Sequence, residues 1–160
     1  MALRRLGELV DAGADEGSRD ALELATRVAA RLEPVMESER DRTLLFYFEG
    51  NAWSTLWSMR SKSEPGVAWS WEAPEMEKKI VALRRARSSP GFEQVAAYQR
   101  CQILTNLASA LSNVGRIIEA IAYWDQALDL DPAFAMAIAS KGDGMRYYIP
   151  YLYDDGHQPE

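Results

Sequence analysis

The sequence predicts an all-α fold in which helix–turn–helix units stack side by side as a solenoid. Two observations carry that expectation. Apolar residues recur at intervals of three and four along most of the chain, and breaks rich in Gly, Asn, Asp and Pro cut those stretches into pairs. The alternation of β-branched residues that marks a half-buried strand is absent.

The chain has 160 residues, of which 48% are apolar and 26% charged. These values describe an ordinary globular composition and one domain, residues 1–160. No apolar run approaches the roughly 18 residues that cross a bilayer, so no membrane partner is expected. The stretch from Met1 to Glu8 turns acidic too soon for a secretory signal, which leaves a cytoplasmic location as the expectation. Cys101 is the sole cysteine, so an intrachain disulfide and a thiolate metal cluster are both excluded.

Along the chain, Leu3, Leu6, Gly7 and Val10 form one apolar face, and Ala21, Ala25 and Val28 form a second before Pro34. The turn between them, Asp11 to Asp20, reads as longer than usual for such a unit. Phe46, Gly50 and Trp53 mark another first helix; Leu83 and Ala86, followed by Pro90, mark its second. The connection from Ser61 to Pro74 carries Pro65, Gly66, Trp69 and Trp71, and reads as a long Trp/Pro/Gly-containing insertion. Ile103, Leu104, Leu107, Ala108 and Leu111 then form the best-defined face. After Asn113-Val-Gly115, the residues Ile117, Ile118, Ile121, Trp124 and Leu128 form its antiparallel companion. Asp131-Pro132 should cap and open a last helix, with proline in the first turn where its missing N–H costs nothing. Pro150 should end or kink that helix.

The run from Cys101 to Pro132 resembles one complete tetratricopeptide repeat (TPR), a unit of about 34 residues. The residues that carry the resemblance are Leu104, Leu107, Ala108, Leu111, Ala120, Trp124, Ala127 and Pro132. Ala108 and Ala120 would let the paired helices approach, and Trp124 would fill the gap between repeats. The resemblance implies a right-handed TPR-like solenoid. It would hold divergent repeats at 1–37 and, with the insertion, at 38–92. A clear repeat follows at 101–134, then a terminal helix and tail at 135–160. Within the terminal helix, Ile138, Gly142 and Met145 match motif positions while Lys141 takes an apolar one, and Gly142 is expected to give close helix packing. The runs Gly115 to Ile121, Asp131 to Ala137 and Tyr147 to His157 also resemble the N-terminal TPR half of bacterial HEPN proteins. Such proteins include RNA-cleaving toxins and phage-defence effectors, and the resemblance implies, as an alternative function, the sensor or regulatory half of such a system with the catalytic domain outside this chain. Their catalytic motif places an Arg a few residues ahead of a His; here His157 is the sole histidine and Arg146 stands too far back.

Catalytic groupings are lacking by the same reading. His157 lies in a tail of Gly, Pro and acidic residues, and Cys101 reads as a small buried hydrophobe. Asp154, Asp155 and His157 make a weak chelating pattern; no metal and no cofactor are expected. The chain is therefore read as a binding protein and not an enzyme. Residues from 117 onward hold two basic side chains against eight acidic ones, a net of −6 that argues against direct nucleic-acid binding there. The basic cluster Lys78, Lys79, Arg84, Arg85 and Arg87 reads as a solvated face.

TPR proteins bind partners in the concave groove lined by their first helices. The resemblance places Gln102, Thr105, Asn106, Ser109, Ser112 and Asn113 there, flanked by Asn51, Ser54 and Thr55 on one side and Asp143, Arg146 and Tyr147 on the other. Such a polar surface suits a peptide or protein partner. Asn51 and Asn106 match the asparagines of TPR clamps that hold chaperone C-termini. Tyr47, Met136 and Ser140 occupy the basic positions of that clamp, so carboxylate capture is not expected. Trp69 and Trp71 form a second candidate surface, either folded over the helices or free for a partner. The unfinished half repeat, with Ile138, Met145 and Tyr148 exposed, offers a route to homo-oligomers through the terminal helix.

Overall fold

The computed structural model describes residues 1–64 and 72–153, with side chains through residue 150. The protein is all-helical among these residues. The α-helices are α1 (Ala2–Asp15), α2 (Arg19–Leu32), α3 (Glu39–Ser63), α4 (Pro74–Ser88), α5 (Ala97–Asn113), α6 (Ile117–Leu130) and α7 (Ala135–Tyr153). Short 3-10 turns cover Glu33–Val35 and Phe92–Gln94. None of the described helices is long and apolar enough to cross a membrane.

Each helix packs on its sequence neighbours, and α1 with α3 and α5 with α7 also meet directly. Two of the hairpin turns are closed by the same device. In the first, the Ser18 amide donates to the Gly13 carbonyl at 2.9 Å; in the other, Arg116 donates to Leu111 at 2.9 Å. Both arrangements need a left-handed residue just past the helix, and Gly17 (φ +63°) and Gly115 (φ +82°) supply it. The first turn is accordingly short. Helix α1 continues through Asp15, well into the stretch expected to be loop, because Gly13 is buried against Leu22. Ser18 then caps α2 by accepting from the Ala21 amide at 3.3 Å.

Helix α3 is buried nearly all round: Thr43, Leu44, Leu45, Phe46 and Tyr47 are five consecutive buried residues. One apolar face would suffice for a helix with neighbours on one side. Here α1, α2 and α4 all pack on α3, and α5 reaches it through side chains. Trp53 is half-buried with the Lys78 ammonium 4.3 Å from its ring centre. Helix α4 starts with Pro74 in its first turn, and Arg60 near the end of α3 reaches Glu75 at 3.1 Å. The connection between α3 and α4 thus runs from residue 64 to 73. Trp69 and Trp71, the candidate insertion surface, lie outside the described residues.

The basic cluster on α4 departs from the solvated face expected of it. Arg84 pairs with Glu119 of α6 at 2.6 Å, Arg87 donates to Gln126 at 3.1 Å, and Arg85 pairs with Glu33. Lys79 is buried, with its ammonium 5.8 Å from the Trp57 ring centre. These side chains tie α4 to its neighbours, since acidic and amide groups of α6 and of the turn after α2 stand within their reach.

The last helix also differs from expectation at both ends. Asp131 to Phe134 form a separate turn: the Ala133 amide donates to the Asp131 carboxylate at 3.0 Å and the Phe134 amide to the Asp131 carbonyl at 3.0 Å. Pro132 therefore stands in that turn, and α7 begins only at Ala135. Pro150 lies inside α7, which continues to Tyr153; the ring leaves the Arg146 carbonyl without its helical N–H.

Candidate functional site

Apart from Thr105 and Arg146, the residues expected to form a groove fall into two adjoining clusters. The first is a polar seam between α3 and α5. Tyr47 donates its hydroxyl to the Gln102 side-chain oxygen at 2.9 Å, and the Asn106 amide donates to the Asn51 side-chain oxygen at 3.1 Å. The partners in each bond are 55 residues apart, so α3 and α5 run parallel in fixed register. Burial pushes the Tyr47 hydroxyl above its ordinary range, with Asn51 opposing that shift as a hydrogen-bond donor to it. Thr55 is half-buried and donates back to the Asn51 carbonyl at 3.2 Å. The seam is thus partly spent on holding two helices together.

The second cluster is a cleft of about 210 Å³ between α5 and α7. Ser109, Ser112 and Asn113 line it from α5; Ser140, Asp143, Gly144 and Tyr147 line it from α7; Trp124 of α6 forms part of the wall. Gly144 makes this geometry possible. A Cβ there would stand 2.5 Å from the Trp124 ring, so only glycine lets α7 lie this close to the indole. Tyr148 anchors the far side by donating to the Ser112 carbonyl at 2.7 Å.

Thr105 belongs to neither cluster. It is only 1% exposed, which removes it from any partner-binding surface. The reason lies in helical register: Tyr98, Thr105 and Ser112 are seven residues apart and share one stripe of α5. The Tyr98 ring meets Phe134 edge-on, and Ser112 meets Gly144 and Tyr148. Helix α7 and the turn before it therefore run along that stripe and seal Thr105. Tyr148 and Met145, both expected to be exposed, are half-buried, Tyr148 by the same contact.

Arg146 stands beside the cleft and outside its lining. Its guanidinium is 3.9 Å from the Asp143 carboxylate and 5.5 Å from the Tyr147 ring centre. Both charged side chains are more than 70% exposed, so this pair adds little stability. Ser140, Gly144 and Trp124 were not assigned to the site from sequence. Trp124 was visible as a packing residue. Motif spacing points to Gly142 for close packing, and the structure gives that part to Gly144 instead.

The cleft offers hydroxyls, an amide and a carboxylate, a set suited to hydrogen-bonding the backbone and polar side chains of a peptide. Cys101 is fully buried with its sulfur 3.5 Å from the Ala127 carbonyl, and burial raises its thiol above the ordinary range. Asp154, Asp155 and His157 lie outside the described residues. Among the described residues no group of three or more His, Cys, Asp or Glu side chains is placed to share a metal ion.

Compared with known proteins, the chain matches no family model, no curated protein and no solved structure. What the fold and the site define together is an all-α protein with a polar cleft between two parallel helices.

Proposed function

We propose that this chain is a TPR-like, right-handed helical solenoid that acts as a protein-interaction scaffold and is not an enzyme. A peptide or protein segment lies in the α5–α7 cleft and continues over the α3–α5 seam. The observation that carries this reading is the convergence of Ser109, Asn113, Asp143 and Tyr147 on one cleft, although they come from helices separated in sequence by all of α6. Tyr147 is 65% exposed at its rim, an aromatic available to a partner without prior unfolding. A polar, partly open cleft with an aromatic rim suits a chain segment better than a small apolar ligand.

The test is affinity capture of the tagged chain from its native lysate, read by mass spectrometry. A parallel bait carries Ser109→Arg and Tyr147→Ala. Tyr147 is exposed and Ser109 is half-buried in the cleft lining, so neither change opens a cavity in the core, and circular dichroism checks that the altered bait is folded. The reading expects a protein captured by the natural chain and lost with the altered bait. Equal capture by both would remove the cleft from the account. A HEPN-domain protein among the captured partners would give the toxin or defence-system reading its first support.

A further inference from the structure

The hairpins α1–α2 and α5–α6 match position by position. Their closing turns place Gly13, Gly17 and Ser18 where Leu111, Gly115 and Arg116 stand, and in that register α2 matches α6 from end to end. Their outer faces differ. On the second hairpin Ile103, Leu107 and Ala110 are fully buried, with Met76 of α4 packed on Ala110, while Glu119 and Gln126 hold Arg84 and Arg87 of α4. The matching residues of the first hairpin are Arg5, Leu9 and Ala12 of α1, with Ala21 and Val28 of α2. None of these is buried, Leu24 beside them is 45% exposed, and Arg5, Leu9, Val28 and Leu32 line a cavity of about 440 Å³. The face that α4 covers on one hairpin is thus open on the other among the described residues.

Charge says what fits this face. On α1 the line across it runs Arg5, Leu9, Ala12, Glu16; on α2 it runs Asp20, Leu24, Val28, Arg31, at helical intervals of three and four. The four charged side chains are exposed and have no ion-pair partner among the described residues, whereas Arg4 pairs with Glu8 at 3.4 Å and Arg19 with Glu23 at 3.9 Å. The helices are antiparallel, so Arg5 and Arg31 share one end of the face, and Glu16 and Asp20 share the turn end. Gly13 lies against Leu22, which sets the midpoints of the two lines at one level, within roughly 3 Å. A half-turn about an axis crossing both helices at that level lays the face on a copy of itself, each basic end on an acidic end. A half-turn about an axis along the helices would set Arg5 against Arg31 instead, which like-charge repulsion opposes.

We propose that the outer face of α1–α2 docks a second copy of this chain in the antiparallel arrangement. Leu24 stands at the centre, Arg5 faces the partner's Glu16, and Arg31 faces the partner's Asp20. Two helices of 14 residues offer a face of about 20 by 20 Å. That is small for a specific interface, so the dimer forms in the micromolar range. This surface is separate from the α5–α7 cleft and does not depend on the cleft's function.

Sedimentation velocity of the full chain from about 1 μM to 1 mM tests the proposal. A monomer–dimer equilibrium is expected, weakened about tenfold or more by Leu24→Asp. Arg5→Glu and Glu16→Arg should each weaken it about fivefold, and a chain carrying both should regain most of the natural affinity. The two positions lie about three turns apart on one helix, roughly 16 Å, so that rescue cannot arise within one chain. Circular dichroism checks that each variant is folded. A monomer at every concentration overturns the proposal, as does a dimer that ignores Leu24→Asp. So does a doubly changed chain that pairs no more tightly than either single variant. A dimer lost with Ile138→Asp but kept with Leu24→Asp would overturn it too, by giving the pairing to α7.

Discussion

Asn106 of α5 donates its side-chain amide to the Asn51 side-chain oxygen of α3 across 3.1 Å and 55 residues of sequence. Four residues earlier on each helix, Tyr47 and Gln102 repeat the bond. Two bonds in one register define how these helices lie, whereas apolar contacts alone would tolerate sliding. Each bond is half-buried and contributes roughly 1 kcal/mol. Asn51→Ala and Asn106→Ala should each lower unfolding stability by about 1 kcal/mol. The double variant should cost about 0.5 kcal/mol or more below the sum of the two. Urea denaturation of all four proteins closes the cycle, and strict additivity would mean that the side chains do not interact.

Two glycines of α7, two residues apart, should respond in opposite directions to the same change. Gly144→Ala drives a methyl to 2.5 Å from the Trp124 ring and should cost about 1–3 kcal/mol through overpacking. Gly142→Ala meets open space in a helix and should stabilise by about 0.5–1 kcal/mol through helix propensity alone. Thermal melts of the two variants decide the matter. Equal effects would mean that α7 does not sit on Trp124 as described.

Lys79 gives the fold a pH dependence of known sign. Burial lowers its ammonium from 10.5 to about 8. Between those values the unfolded chain holds a proton that the folded chain has lost, so this group makes stability rise with pH. Below about pH 8 both states are charged and the burial penalty is present in full, on the order of 3 kcal/mol. Lys79→Met should therefore be more stable than the natural chain at pH 7. That advantage should shrink between pH 8 and 10.5, as followed by denaturant midpoints. A difference that stays constant across the window would contradict the burial of this amine.

The helices between Cys101 and Leu130 were legible in the sequence because their pattern is set by close packing. Leu104, Leu107, Ala108, Leu111, Ala120, Trp124 and Ala127 are all essentially buried, as their periodicity predicts. The site was less legible because it depends on relations between helices far apart in the chain. Nothing local to Thr105 says that α7 will cover it. The pairing of Asn51 with Asn106 needs the α3–α5 register, which no single helix encodes. The expectation of close packing at Gly142 fails for a related reason. Motif spacing selects Gly142, but its role requires a facing helix, while Gly144 is used because the Trp124 ring is present.

The account's central claim is that the α5–α7 cleft receives the partner. Hydrogen exchange on a complex captured from native lysate, compared with the free chain, tests it most directly. Slowed exchange concentrated on α5 from about Asn106 to Asn113 and on α7 from about Ser140 to Tyr147 is the predicted result. Protection confined to α2, α4 and α6, with α5 and α7 unchanged, would contradict it.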